Sequence, residues 1–582
     1  MTRIKFVLAA LLSAALLNLA PQLHAQITVK VVLAGSSALW QSMALAAYKG
    51  GACVSGGTAP CFHYTAKNFN LIDSRPTAKG GANAVDAGNL WVVWDSNSTS
   101  TNVWAYIRVD SGVGDRCYFG QPRCTVSLPT VPAPGNLIAQ NLWGDNSPDT
   151  APPSAIVALL QGGTLAVNAA ATDIRPEDAL FATCRANSSL GGGPDGLAGL
   201  GYGTNASGVC PTFGATLAKL EGSDIQSAYP GSTSTAHILA FNLSGKDPFT
   251  GTAIPAATTT SVGASPVIFI TSRQSSSLAN ATNITDAQAQ LLFSGGNCDA
   301  SVLGGASGPI QVYLREPLSG TMNTTEYTVF RYPDKSGASQ ETGVSAVNPL
   351  SKACSSGGSR YRAIGTGEEV NSVLNSNANH GTDGIGYTFF SYGNVSGIAN
   401  STSYGYLTLN GVDGIFHKYG TTIDPGQPAI AGALPGVANL PATCAGGAGS
   451  FPCAEGKIWS GNLSFPNLRN GSYRAWSILR VVSNGTALSA ANLLVSGSQT
   501  YAVNSTPDFV PGVQVGSADV GLTLLRSHYT QAGVAPVNVA TTGDRGGDAG
   551  GCILFSTRIA ASSDTTTKLA QQTPGSSCVQ VP

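Results

Sequence analysis

The stretch Val312–Thr325 (VYLREPLSGTMNTT) constrains this chain more than any other. A β-prone run, Ile310–Leu314, meets an arginine, then the tight turn Ser319-Gly320-Thr321, then a helix start. A loop built this way brings a guanidinium, two hydroxyls and several free backbone N–H groups to one point. A helix N-terminus favours an anion, because its first N–H groups lack partners and the macrodipole is positive there. Arg315 adds a planar fork suited to tetrahedral oxyanions. The plain alternative is an exposed strand-to-helix turn with a surface arginine.

Comparable junctions occur earlier in the chain. Ile27–Leu33 (ITVKVVL) reads as a buried strand. It runs through Ala34-Gly35-Ser36-Ser37 into a helix over Ala38–Tyr48. Val103–Val109 reads as a strand that ends in a Ser/Gly turn, Asp110–Gly114. Leu165–Ala171 is a third buried strand. It ends in Thr172-Asp173, a hydroxyl and a carboxylate ahead of a helix with an acidic first turn. In open α/β sheets ligands collect at such strand ends, but Asp and Thr are also common helix caps.

Further strands are expected over Leu90–Trp94 and Val267–Thr271, and helices over Ala155–Gln161, Ile284–Phe293 and Gly367–Leu374. Thr285 or Asp286 would cap the helix over Ile284–Phe293. Tyr473–Val482 fits helix or strand. His237–Leu243 and Ile385–Phe390 are extended apolar runs, expected to pair as crossing strands between two lobes. Residues 125–153 and 333–362 read as loop.

Composition narrows the function classes. Only 10% of the 582 residues are charged and the formal net charge is −1, so no basic excess exists to neutralise nucleic-acid phosphates. With 42% hydrophobic residues the chain is not a disordered one. The N-terminus reads as a secretory signal: Arg3 and Lys5 precede the apolar run Val7–Leu19, which is too short to span a bilayer. Cleavage after Leu23-His24-Ala25 would make residues 1–25 the signal peptide and Gln26 the mature start. No cysteine follows the apolar run, so no lipid anchor is expected, and the mature protein should be periplasmic or secreted. The 12 cysteines are even in number and contain no C-x-x-C, which favours disulfides over zinc ribbons or redox pairs. Neighbour pairing is the simplest scheme: Cys53–Cys61, Cys117–Cys124, Cys184–Cys210, Cys298–Cys354, Cys444–Cys453 and Cys552–Cys578.

Four of these signals, AGSSAL (34–39), VDSGVG (109–114), AAATDIRPEDA (169–179) and REPLSGT (315–321), fall in one order. In that order they resemble the ligand loops of periplasmic phosphate-binding proteins, the PstS-like branch of the type II solute-binding proteins of ABC transporters. ITDAQAQLLFSG (284–295) and GIGYTFFSYG (384–393) resemble the helix before the arginine loop and the returning crossover segment. The resemblance implies an α/β, two-lobed periplasmic-binding-protein-like (type II) fold with strand- and loop-rich insertions. Lobe I would be residues 27–236 plus 387–582, and lobe II residues 237–386. It also implies a clamp with no bond-making chemistry and no cofactor. Ser36, Ser37 and the Ala38 N–H would meet the oxyanion from the first loop, Ser111 from the second, and Thr172 and Asp173 from the third. Arg315, Ser319, Gly320 and Thr321 would close from the other lobe, with Asp173 accepting the proton that hydrogen phosphate carries. The implied partners are inorganic phosphate or a similar oxyanion and an ABC permease, the protein itself being a monomer. The chain departs from the family pattern in three ways. Pro317 stands where the family has an acidic residue, so either Glu316 holds the guanidinium instead or the anion differs. Ala38 replaces an aromatic. The chain is also longer, with additions at 50–105, 115–155 and 400–582.

Two other classes compete. A secreted hydrolase is disfavoured by the lack of G-x-S-x-G, H-E-x-x-H and Walker A patterns. The histidines of the mature chain, His63, His237, His380, His417 and His528, are scattered and read as structural or exposed. A surface or matrix-interaction protein is suggested by the strand-rich additions and by Trp91, Trp94 and Trp104. Those residues could bind a polymer, although a strand core uses tryptophan more often.

Overall fold

The computed structural model describes residues 26–48, 53, 60–75, 84–95, 100–182, 241–330, 351–390, 404–414, 473–503 and short pieces at 514–515 and 518–519, apart from positions 139, 144–146, 177, 181, 276, 317 and 364 within them. The signal segment, Pro317, His237, His417, His528 and the cysteine pairs 184–210, 444–453 and 552–578 lie outside the described residues. The other three pairs are disulfides as expected: Cys53–Cys61, Cys117–Cys124 and Cys298–Cys354.

In chain order the strands are β1 (Gln26–Gly35), β2 (Cys61–Asp73), β3 (Ala84–Asp95), β4 (Ser100–Arg108), β5 (Thr125–Ser127), β6 (Leu165–Ala166), β7 (Ala169–Thr172) and β8 (Thr258–Ser272). There follow β9 (Asn283–Ile284), β10 (Gln311–Arg315), β11 (Ser351–Ala353), β12 (Ser359–Ala363), β13 (Gly384–Phe389), β14 (Tyr404–Leu409) and β15 (Trp476–Ser483). The helices are α1 (Ser37–Tyr48), α2 (Ser111–Phe119), α3 (Ser154–Gln161), α4 (Asp286–Phe293), α5 (Gly320–Thr325), α6 (Thr366–Leu374), α7 (Ser376–His380) and α8 (Gly485–Val503). Tyr473–Val482, open from sequence, is resolved as strand β15.

The chain is a two-lobed α/β protein, and its wiring repeats. In lobe I, β4 and β7 flank β1 in parallel, and β15 runs antiparallel beside β7. In lobe II, β12 and β13 flank β10 in parallel, and β8 runs antiparallel beside β13. Each lobe therefore reads second–first–third–antiparallel. β8 joins the two: Thr258–Pro266 pairs with β15, and Val267–Thr271 pairs with β13. The partner of Ile385–Phe389 is thus Val267–Thr271 and not His237–Leu243, whose described residues, 241–243, lie in no strand. The changeover falls at Pro266, which has no N–H to give to a ladder.

The additions extend this frame. The hairpin β2–β3 adds to the free edge of β4, and β5 and β6 follow. Central strands covered on both faces read as apolar runs, and Val31–Ala34 of β1 are fully buried. Trp91, Trp94 and Trp104 lie inside this extended sheet, each no more than 4% exposed, so they serve the core. Buried ion pairs tie the segment around Asp247 to lobe I: Arg75 reaches Asp73 at 2.7 Å and Asp247 at 3.0 Å. Lobe II centres on the rings of Phe269, Phe293, Phe330 and Tyr387. Among the described residues no helix is long and apolar enough to cross a membrane.

Residues 125–153 and 333–362, read from sequence as loop, contain β5, β11 and most of β12, short strands held by pairing with their neighbours, and a further expectation is also corrected. Asp110–Gly114 does not end as a turn: Ser111 opens helix α2, with Asp110 in the extended N-cap conformation. Gly112 and Gly114 lower helix propensity, which hides the helix in the sequence. Both are needed for approach. A Cβ on Gly114 would meet the Ala34 carbonyl oxygen at 2.4 Å, and one on Gly112 the Leu318 carbonyl oxygen at 3.0 Å.

Candidate functional site

Each parallel strand that is first or second in its lobe delivers a helix N-terminus to the gap between the lobes. β1 leads into α1, β4 into α2, β10 into α5 and β12 into α6. The lobes touch at these junctions. Gly112 N donates to the Leu318 carbonyl at 3.1 Å. The hydroxyls of Ser37 and Thr366 are 3.0 Å apart, and Arg315 Nη2 lies 3.3 Å from Asp110 Oδ1. Four positive helix ends facing one gap form a site for negative charge.

The residues singled out from sequence divide into two contacting groups. In the first, Ser36 Oγ donates a short hydrogen bond to Asp173 Oδ1 and accepts one from Ala38 N at 3.1 Å. Asp173 N donates to Ser111 Oγ at 3.0 Å. Gly320 lies directly against this group, since a Cβ there would meet Ser111 Oγ at 2.6 Å and Asp173 Cβ at 2.7 Å. In the second, Arg315 Nη1 donates to Thr366 Oγ1 at 2.6 Å and to Thr321 Oγ1 at 3.4 Å, and Ser37 meets the same Thr366 hydroxyl. Two candidates turn away. Thr172 Oγ1 donates to the Ile174 carbonyl at 2.7 Å, fixing its own loop. Ser319 Oγ accepts from Met322 N at 3.3 Å and so caps α5.

Glu316 holds the guanidinium, the first of the two readings left open by Pro317. Arg315 Nε and Nη2 donate to its two carboxylate oxygens at 2.8 and 2.7 Å, a bidentate pair. The single N–H of Gly365 is shared between both oxygens at 3.1 Å. All these groups are buried, and burial sets their charges. Burial pushes the Asp173 carboxyl up to about 6, against the opposing pull of Ser36, Ser111 and Arg315. Burial and the adjoining Glu316 push Asp110 well above the usual carboxyl range. Burial also disfavours the Glu316 charge, but Arg315 and a hydrogen bond from Asp110 outweigh it and hold Glu316 near 2. Burial lifts Glu369, 3.8 Å from Arg315, to about 8. Near neutrality the site therefore holds Arg315 paired with ionised Glu316, an Asp110 whose charge is disfavoured, a neutral Glu369, and an Asp173 carboxylate able to accept a proton.

Sequence reasoning missed Thr366, Asp110 and Glu369. Gly365-Thr366 follows the second strand of lobe II as Asp110-Ser111 follows the second strand of lobe I. The repeated wiring would have pointed to Thr366. No local motif marks it.

Of the histidines, His63 is buried. Its Nδ1 bonds Asp149 at 2.9 Å, its Nε2 bonds Ser147 Oγ at 2.9 Å, and its ring stacks on Trp143 at 3.8 Å. Asp149 also accepts from Thr65 N at 2.9 Å and Asn136 N at 2.8 Å, so the array pins the loop 136–149 onto β2. His380 stacks on Tyr361 at the surface. Among the described residues no cluster of His, Cys, Asp and Glu could hold a metal ion.

No family model and no curated protein matches the chain. Solved structures do. One is a human phosphate-binding apolipoprotein, at 13% identity over 89% of this chain and 96% of that chain, with a TM-score of 0.35. Another is a high-affinity periplasmic phosphate-binding protein (PfluDING) bound with phosphate, at 12% identity over 86% and 99%, TM-score 0.32. A third is an ABC-type phosphate transport receptor from Vibrio cholerae, at 14% identity over 44% and 73%, TM-score 0.23. These are phosphate-binding proteins. With scores this low, the fold assignment rests on the strand order given above.

Proposed function

We propose that this protein clamps a protonated inorganic oxyanion, hydrogen phosphate, between its two lobes. The observation that carries the reading is the meeting of Ser111 and Asp173 of lobe I with Gly320 of lobe II, beside the meeting of Ser37 of lobe I with Thr366, the partner of Arg315, in lobe II. Helix N-termini and hydroxyls supply donors to the anion's unprotonated oxygens. Asp173 accepts from its P–OH. A fully ionised anion such as sulfate has no proton to give and would leave the buried carboxylate facing another negative oxygen, which is a strong basis for rejection. Closure of the lobes excludes water and strengthens each of these bonds.

The wider reading is an exported solute-binding protein. Residues 1–25 are removed on export to the periplasm or beyond, and the loaded monomer delivers its anion to an ABC permease. We place the first lobe handover inside β8 and not at residue 237, because Asp247 is bound to Arg75 of lobe I. The buried positions of Trp91, Trp94 and Trp104 take support from the matrix-binding alternative.

Titration calorimetry of the purified mature protein with phosphate and with sulfate tests this. Tight phosphate binding, little sulfate binding, and loss of binding in Arg315→Ala and Asp173→Ala variants that melt normally are expected. Full phosphate affinity in both variants refutes the clamp.

A further inference from the structure

Beside the clamp, and sharing Arg315 with it, lies a partly open cavity of about 250 Å³. At about 30 Å³ per water this is room for roughly eight waters. A tetrahedral oxyanion has five non-hydrogen atoms and would leave much of that space unfilled. Ser37, Arg315 and Thr366 line the cavity, and so do Asn89 and Arg108, which have no part in the clamp.

The charges around the cavity are mostly settled. Arg315 is matched by Glu316. Asp86 pairs with Arg116. Asp110 lies 3.3 Å from Arg315, and burial and Glu316 work against its charge. Glu368 is exposed at the start of α6, where solvent screens it. Arg108 differs. It ends β4, its guanidinium lies 4.9 Å over the Trp40 ring, and the Asn89 side-chain oxygen accepts from its Nη2 and Nε at 2.5 and 3.1 Å. Among the described residues no carboxylate pairs with it. Burial works against its charge and lowers its pKa. A guanidinium fixed by a ring face and a neutral amide keeps its positive charge uncompensated. Its planar fork suits a carboxylate or a phosphate.

Resting on the oxyanion-clamp reading, we propose that the natural ligand is a compact phosphate carrying a second anionic group. The phosphate end sits in the clamp with one oxygen still protonated, the form from which Asp173 can accept, and the second anion pairs with Arg108 across the cavity. The second group is a carboxylate or another phosphate, and the chemistry at Arg108 is the same for both.

The test is calorimetry of the full mature protein with four probes: inorganic phosphate, pyrophosphate, phosphoglycolate and glycerol 3-phosphate. Pyrophosphate or phosphoglycolate should bind about tenfold or more tighter than glycerol 3-phosphate, the return of one charge-assisted pair. Which of the two binds tighter identifies the second group. In Arg108→Gln that gap should close. Inorganic phosphate binding alone, or equal binding of all three extended probes, overturns this inference and leaves the clamp standing. A gap that persists in Arg108→Gln also overturns it. If none of the four binds, both readings fall. Should Arg108→Gln not fold, the probe ranking with the parent protein still decides.

Discussion

Gly320 offers the sharpest test of how the lobes meet. It is the first residue of α5, behind the Ser319 cap, and its backbone is not in the left-handed region. Alanine is better than glycine by about 1 kcal/mol within a helix, so Gly320→Ala costs α5 nothing. The added methyl, however, would stand 2.6 Å from Ser111 Oγ, 2.7 Å from Asp173 Cβ and 2.8 Å from Asp173 Oδ2. Ordinary contact begins at 3.4 Å, so the two lobes must separate locally by about 0.7 Å. A hydrogen bond of about 2.9 Å stretched by that amount passes beyond the useful range. Two charge-assisted bonds to the anion, each worth about 1.5–3 kcal/mol, would be forfeited, a loss of about 3 kcal/mol or more. That is upward of about a hundredfold in Kd. Calorimetry with phosphate measures the loss, and a thermal melt should show an unchanged or slightly raised Tm. Gly308→Ala is the control, since its Cβ would find only Ser277 Oγ at 3.9 Å. Phosphate affinity within about threefold of the parent in Gly320→Ala would show that closure does not bring Gly320 onto Asp173.

Asp173 ties stability to pH. Its carboxyl is pushed from 3.8 up to about 6, so in that window the native state holds a proton the unfolded chain has released, and stability falls as pH rises. Asp173→Asn should remove this dependence and gain about 3 kcal/mol on the parent between pH 4 and pH 7 in urea melts; a constant difference contradicts the buried-carboxyl argument. Phosphate affinity should also weaken below about pH 6, as Asp173 takes up its own proton and ceases to be an acceptor. Cys298 and Cys354 close a loop across a sequence separation of 56, so replacing both with serine should cost about 4 kcal/mol, read from the denaturant midpoint. His63→Phe removes two buried hydrogen bonds that pin the loop 136–149 and should cost about 1–3 kcal/mol while phosphate titrations stay unchanged. A large affinity loss there would mean that the loop reaches the clamp.

The parts of the fold that were legible in the sequence carry strong local patterns. Apolar runs marked β1, β4, β13 and the C-terminal half of β8, helical spacing of apolar residues marked α1, and a hydroxyl or acidic cap marked α4. Thr285 and Gln288 form the full reciprocal cap on α4. Failures came where local and tertiary preferences diverge. The polar first half of β8, with Gly263 and Pro266, carries no strand pattern of its own but is held as strand by β15. Helix α2 carries glycines for close packing and so looked like a turn. Leu165–Ala171 was read as one strand. It is broken at Val167-Asn168, where the Asn168 side chain accepts from Val32 N at 2.7 Å. In the site, Arg315, Asp173 and Ser111 could be read from their loops. Thr366 could not, because its position follows from the repeated strand order. Arg108 looks like any strand-ending arginine until its neighbours are known.

One backbone belongs to both lobes. At about 3.3 Å per residue, the 15 residues of β8 stretch across about 50 Å, and without its own portion of that length each lobe loses an antiparallel strand of its sheet. Cutting the gene between the lobes would therefore yield no portable half. Each product would carry a raw, unpaired sheet border, the kind of border that recruits foreign strands and precipitates. Evolution and engineering alike must treat the pair as indivisible, and new sequence can be accommodated only at the outer rims, as the β2–β3 hairpin already is.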